Sequence, residues 1–194
     1  LLDSEARGSA DKGDSFGSLR EPALVITSLV RSLSGITDGN TLGDRAGALG
    51  QRPYFSPTVF NYFQPDTSVQ VQGKSLVEPE FAIHDSNTAF ARANLVYTLV
   101  YNGLGEDANL DGAVGTRLNV QQFEPFADDP ATLVNQVNLV LMGGTLPASA
   151  SSTIATAVAA IASSPDPTKT QWRTDRARAA VYLTASSYYF QVQH

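Results

Sequence analysis

Apolar residues recur at spacings of three and four in several windows of this chain, and that period predicts helices rather than strands. The first window opens at Ser18-Leu19-Arg20-Glu21-Pro22, where proline suits an early helical position because its missing N–H would have no partner there. Leu24, Val25, Leu29 and Leu33, with Ile26 and Val30 beside them, carry a stripe to about Ser34, and Gly35 stops it. A second helix is expected from a cap at Asp85 or Ser86 to about Asn102. Its apolar positions are Ala89, Phe90, Ala93, Val96, Tyr97, Leu99 and Val100, and Gly103 closes it. A third starts at Asp129-Pro130, presents Leu133, Val134, Val137, Val140 and Leu141, and ends at Gly143-Gly144. A fourth starts at Leu146-Pro147 and runs through Ile154, Val158 and Ile161 to Ser163. The last runs from about Thr168 to Ser187, with Trp172, Ala179, Ala180, Leu183 and Ser187 recurring.

Between these windows the pattern fails. Leu1 to Arg7 reads as the end of a preceding helix and Gly8 to Ser18 as an exposed linker, while Ile36–Gly50 and Gly105–Glu124 read as polar loops. The stretch Arg52 to Phe90 is different: irregular but rich in rings. Tyr54, Phe55, Phe60, Tyr62 and Phe63 lie close together, and prolines stand at 53, 57, 65 and 79. Ser56-Pro57 predicts a short helix over Pro57–Phe63, and the weak alternation of Val69 and Val71 predicts a short extended piece over Ser68–Gln72. Rings in so long a loop are expected to be pinned beneath their neighbours. The fold class expected is all-α, an irregular bundle of about five main helices with long Pro/Gly/aromatic-rich loops. Residues 1–194 are expected to form one domain.

Composition narrows the function classes. A hydrophobic fraction of 42% with 16% charged residues describes a globular chain. The net charge of -6 argues against a nucleic-acid surface, which needs a basic patch. No apolar run is long enough to span a membrane. With no cysteine, disulfides, thiolate metal sites and cysteine catalysis are excluded. The opening residues, LLDSEAR, carry neither an initiator Met nor a secretory signal, so the expectation is a piece of a longer protein.

The sharpest local motif is Asp107-Ala108-Asn109-Leu110-Asp111-Gly112. Oxygen-bearing side chains at alternate positions, followed by a glycine for the turn, begin a calcium loop, and Ala113 would add its carbonyl. The twelfth position, where a bidentate Glu is wanted, holds Leu118, so Glu124 would have to swing in, or water fill the gap. The competing reading is an Asx-rich surface turn. His84, with Glu78 and Glu80 nearby, could serve as an acid/base or metal constellation, or the carboxylates could simply accept backbone hydrogen bonds, which is the favoured reading. Lys169, Arg173, Arg176 and Arg178 cluster on the last helix; they could bind an anion or an acidic partner, or form a solvated face partly paired with Asp175, which is the favoured reading. Arg20 and Glu21 are expected to form an internal ion pair. The rings of Tyr54, Phe55 and Tyr62 could line a cleft for a ring-bearing ligand; core beneath the loop is the favoured alternative.

Several phrases, in this order, resemble the C-terminal part of the bacterial family called domain of unknown function 1800. They are LREPALVITSLVRSL, RPYFSPTVFNYFQPD, LVEPEFAIHDSNTA, the run from Leu133 to LMGGTL, and RARAAVYLTASSYYFQVQ. The resemblance covers nearly the whole chain. It implies export to the periplasm or outside the cell, and an N-terminal part of the same polypeptide as a partner; it implies no settled activity. One departure is Ser186-Ser187, where the family usually reads Ser-Pro, so the last helix is expected to continue further here. The function expected is a structural or binding module of a larger exported protein, with calcium as a candidate stabilising ion. The alternative is half of a secreted enzyme acting on an extracellular polymer, with a cleft around Tyr54–Phe63 and His84.

Overall fold

The computed structural model describes residues 17–71 and 73–193. The expected helix end at Leu1–Arg7 and most of the expected linker lie outside the described residues. The described chain is helix-rich, with a few short strands.

Helix α1 (Pro22–Ser32) has proline in its first turn and buries Val25, Ile26 and Leu29, while Leu24 faces out. A short α2 (Leu42–Ala48) lies in the region expected to be loop. Helix α3 (Ser86–Tyr97) begins at Asp85, whose carboxylate accepts from the Thr88 amide while the Thr88 hydroxyl accepts from the Asp85 amide. This reciprocal cap satisfies two otherwise orphaned donors. The helix continues into a widened π turn, Thr98–Asn102, closed by the Gly103 amide donating to the Thr98 carbonyl at 2.8 Å. Helix α4 (Pro130–Met142) is capped by Asp129 and ends on Gly143 in the left-handed region. Helices α5 (Ala148–Ala159), α6 (Gln171–Ala185) and the short α7 (Tyr188–Gln191) complete the set.

These helices share a contiguous buried cluster. Val25, Leu29 and Leu33 meet Val96 and Leu99 of α3 and its π turn, Leu133, Val134 and Val137 of α4, Val158 of α5, Val181 of α6, and Phe123 and Phe190. On α3 the buried face is Arg92, Leu95 and Val96, and Phe90 is exposed, so the stripe is rotated from the expected one. On α4 Val140 is exposed. On α6 the buried residues are Arg176, Ala177, Ala180, Val181, Thr184 and Ala185. Small alanines let α6 approach α4 and α5 closely, and Trp172 and Leu183 are left at the margin.

The all-α expectation is qualified by three two-stranded antiparallel ladders among the described residues. β1 (Ser18–Leu19) pairs with β6 (Val192–Gln193) and brings the two ends of the described chain together. β2 (Ile36–Thr37) pairs with β5 (Thr116–Arg117), tying the two long polar loops. β3 (Ser68–Val71) and β4 (Lys74–Val77) form a hairpin through Gly73 (φ 78°), which extends the weak alternation expected over Ser68–Gln72. The expected helix over Pro57–Phe63 does not form. Asn61 takes φ 72°, Thr58 and Asn61 bridge, and the Thr58 hydroxyl accepts from the Phe60 amide at 3.1 Å, so the backbone donors are spent on turns. The last helix also stops at Ala185 rather than continuing. Ser187 adopts an extended conformation, donates to the Thr184 carbonyl at 2.7 Å and caps α7 through the Phe190 amide, which breaks the helix without proline.

Candidate functional site

The aromatic belt is a surface feature. Tyr54 is 102% and Val59 94% exposed, with Phe55 and Phe60 also exposed. The expectation that the belt lies pinned beneath its neighbours is therefore overturned for these side chains; Tyr62 and Phe63 are half-buried. The reason is local. Tyr54 (φ 67°) and Asn61 turn the chain back on itself, and the Tyr62 hydroxyl accepts from the Phe55 amide at 3.3 Å, so the loop is held by its own turns. Arg52 stacks on the Phe55 ring at 4.3 Å and reaches Asp44 at 3.5 Å, which anchors the belt to α2. Val77 and Phe90 add further exposed apolar area nearby in sequence.

Past the hairpin, a 3-10 turn (Pro79–Ile83) carries Glu80 and leads into His84. The His84 ring packs edge-on against Phe81 at 5.6 Å, and its Nδ1 is buried with no hydrogen-bond partner among the described residues. Burial, reinforced by the charge of Arg92, holds His84 below its ordinary range, against a weaker opposing pull from Asp85. Burial and the neighbouring Glu80 push Glu78 up. No hydrogen bond joins Glu78 or Glu80 to His84 among the described residues. The constellation read from the sequence is thus close in chain but not connected in space by a bond that would orient the imidazole.

Arg92 is what the sequence did not advertise. It is buried on α3, its Nη1 donates to the Arg20 carbonyl at 2.7 Å and to Gln191 Oε1 at 3.1 Å, and burial lowers it to about 10. It clamps the segments beside the first and last strands together. Arg20 stacks on Phe190 at 4.5 Å and Glu21 accepts from Gln51, so the expected Arg20–Glu21 ion pair is replaced by two other contacts.

In the 107–113 loop, Asp107 Oδ1 accepts from the Asn109 amide at 2.9 Å and Oδ2 from Asn40 Nδ2 at 2.9 Å. Those bonds hold its carboxyl below the usual range. Asp38 is lowered likewise, first by the Asn40 amide donating to its Oδ1 at 3.0 Å and then by the Val114 and Gly115 amides donating to its Oδ2 at 2.8 Å each. Glu124 accepts from the Thr174 hydroxyl at 2.6 Å, away from the swing that ligation would ask of it. Among the described residues, no group of three or more His, Cys, Asp or Glu side chains is placed to hold a metal ion. The backbone here forms consecutive turns, with the Leu110 amide donating to the Asp107 carbonyl at 3.0 Å and the Ala113 amide to the Leu110 carbonyl at 3.2 Å, and Gly112 takes φ 78°; Asp107 and Asn109 are bonded to each other, and the Asp111 side chain and Ala113 carbonyl lie in the same loop.

The basic cluster of α6 is divided among separate tasks. Arg173 makes a bidentate pair with Asp128 at 2.7 and 2.8 Å, rather than with Asp175. Arg176 is buried and donates to the Ile161 and Ala127 carbonyls, both at 2.9 Å. Arg173 and Arg176 lie 4.5 and 5.0 Å from the Trp172 ring. Arg173 and Arg176 are therefore structural ties, whereas Lys169 stays mostly exposed, 3.9 Å from Asp166.

Arg178 differs from both. With Arg117 of β5 it lines a recess of about 300 Å³ at the π turn, together with Tyr101, Asn102 and Gln121. No motif joins these residues in the sequence; the one signal available is Gly103 after a strongly helical window.

Across nearly its full length, residues 1–192, the chain matches the family described as "Protein of unknown function (DUF1800)", and it belongs to that family. No curated protein and no solved structure matches it. No helix among the described residues is long and apolar enough to cross a membrane.

Proposed function

We propose that this DUF1800 chain is a binding or structural module of a larger exported bacterial protein, and that the belt around Tyr54, Phe55 and Phe60 is its docking surface. The observation that carries this is the exposure of four large apolar side chains within seven residues, Tyr54, Phe55, Val59 and Phe60. Apolar area concentrated on a surface marks interaction sites, since its hydration is relieved only by a partner. The partner proposed is an apolar face on the remaining portion of the same polypeptide, as the family resemblance implies. Export to the periplasm or beyond the cell is part of the same proposal, and fractionation of the producing cells tests it.

The docking test is a calorimetric titration of the chain with that remaining portion. Saturable binding that the triple substitution Tyr54→Ser, Phe55→Ser, Phe60→Ser abolishes supports the proposal. Absence of binding, or binding the triple variant leaves intact, overturns it. Self-association lost in the variant would assign the belt to a second copy instead. Calcium at Asp107–Ala113 is the finer part of the proposal, supported by the alternating oxygens and the Gly112 turn. Titration with calcium and no heat at millimolar concentration would end it. The enzymatic alternative around His84 and Glu80 draws support from the buried, unpartnered His84 Nδ1 alone.

A further inference from the structure

We propose that the recess at the π turn is a binding site for a small oxyanion, a phosphate or a carboxylate group held between the Arg117 and Arg178 guanidinium groups. Nothing in the docking proposal is needed for it.

The recess is built by the fold. The π turn at Thr98–Asn102 inserts an extra residue into the last turn of the α3 helix and brings Tyr101 and Asn102 to the rim. Such turns recur at functional sites because they re-aim side chains at the expense of regular hydrogen bonding. Gly103 then takes φ 71°, and a Cβ there would stand 2.8 Å from the Thr116 carbonyl oxygen and 3.3 Å from Arg117 Cγ. Only glycine lets β5 come so close, and that approach lays the Arg117 stem across the end of the helix. Gly115 repeats the device, since its Cβ would fall 2.3 Å from the Leu104 carbonyl oxygen.

The chemistry of the lining is cationic within an acidic chain of net charge -6. Neither Arg117 nor Arg178 makes an ion pair or a side-chain hydrogen bond to protein among the described residues. The Arg178 Nε is buried without a partner, whereas Arg173 and Arg176 on the same helix are both satisfied. Two guanidinium groups without an acidic partner at one recess repel each other, and an oxyanion accepting from the accessible Nη groups of both offsets that repulsion. Asp175, one turn before Arg178, accepts from Gln171 Nε2 at 3.0 Å and forms no ion pair with Arg178 among the described residues, although its charge reaches Tyr101. Tyr101, beneath Arg178 at 5.9 Å, is pushed up by burial and stays a hydroxyl donor at neutral pH. Asn102 and Gln121 offer amides, while Leu99, Leu118 and Val120 supply an apolar wall. A volume of about 300 Å³ suits a small anionic molecule with a short apolar body.

The test monitors the arginine Nε–H signals by NMR during titration with inorganic phosphate, and separately with acetate, at low ionic strength. The expected result is a saturating shift of the Arg178 signal in the wild type and in the control Arg45→Gln. Affinity should fall about tenfold or more in Arg117→Gln, whose exposed side chain can be changed without unfolding the chain. Response to phosphate alone assigns a phosphate ligand, and response to acetate alone a carboxylate; either supports the site. No saturating shift with either anion, or an unchanged affinity in Arg117→Gln, overturns it.

Discussion

His84 and Arg92 set the electrostatic character of the segment between the hairpin and α3. His84 is held below its ordinary 6.5 by burial first and by Arg92 second. A group whose folded value is depressed contributes stability that is complete above the unfolded value and is lost as pH falls through the folded one. Stability is therefore expected to decline as the solution is acidified below 6.5. Glu78 acts in the opposite sense: raised above 4.5, its contribution is complete below that value and is lost as pH rises through the folded one. Replacing His84 with Phe separates the two. Thermal melts at about pH 7.5 and 5.5 should differ less in His84→Phe than in the wild type; an unchanged difference would show that His84 does not titrate in that window. For Arg92, removing the side chain deletes two hydrogen bonds across the terminal segments and opens a cavity, so Arg92→Ala should cost about 2–4 kcal/mol in urea denaturation. Arg92→Met keeps the volume and removes an unpaired buried charge, so its cost should be smaller.

Among the elements, the join between α3 and β5 concentrates the most constraint. Gly103 combines a positive φ with a close carbonyl, and neither can be relieved by rotating a side chain. Gly103→Ala is expected to destabilise by about 2 kcal/mol or more, read from chemical denaturation, and to release Arg117 from its place over the π turn. The helices themselves were legible because apolar periodicity, proline at first turns and Asp85 or Asp129 at caps are local signals. The false helix over Pro57–Phe63 had the same local signals, and lost to turns made by Thr58 and Asn61. The rotated faces of α3 and α6 were not legible. Both helices carry apolar residues on more than one side, so the neighbours decide which side is buried; Arg92 enters the core where Phe90 does not.

For the whole molecule, closure depends on the chain's two described ends meeting. β1 and β6 pair, the Arg20 amide donates to the Gln191 carbonyl at 2.7 Å, and Phe190 is fully buried beneath the Arg20 guanidinium. Phe190→Ala is expected to cost about 3–5 kcal/mol and to loosen β1 together with β6, measurable as faster amide exchange at Leu19 and Val192. Retained protection at both would show that the ladder stands without the ring.

Local patterns in the chain were enough to place most helix starts and stops, the helix-rich class and the family, because caps, glycine stops and a 3.6-residue period are written within a few residues of one another. Folding in three dimensions was needed to put the aromatic belt outside, to bury Arg92 and leave His84 without a bonded carboxylate, and to bring Arg117 to Arg178 across a recess. The burial and the recess depend on segments far apart in the chain approaching one another, and the energy of that approach resides in packing and desolvation, which no local pattern records.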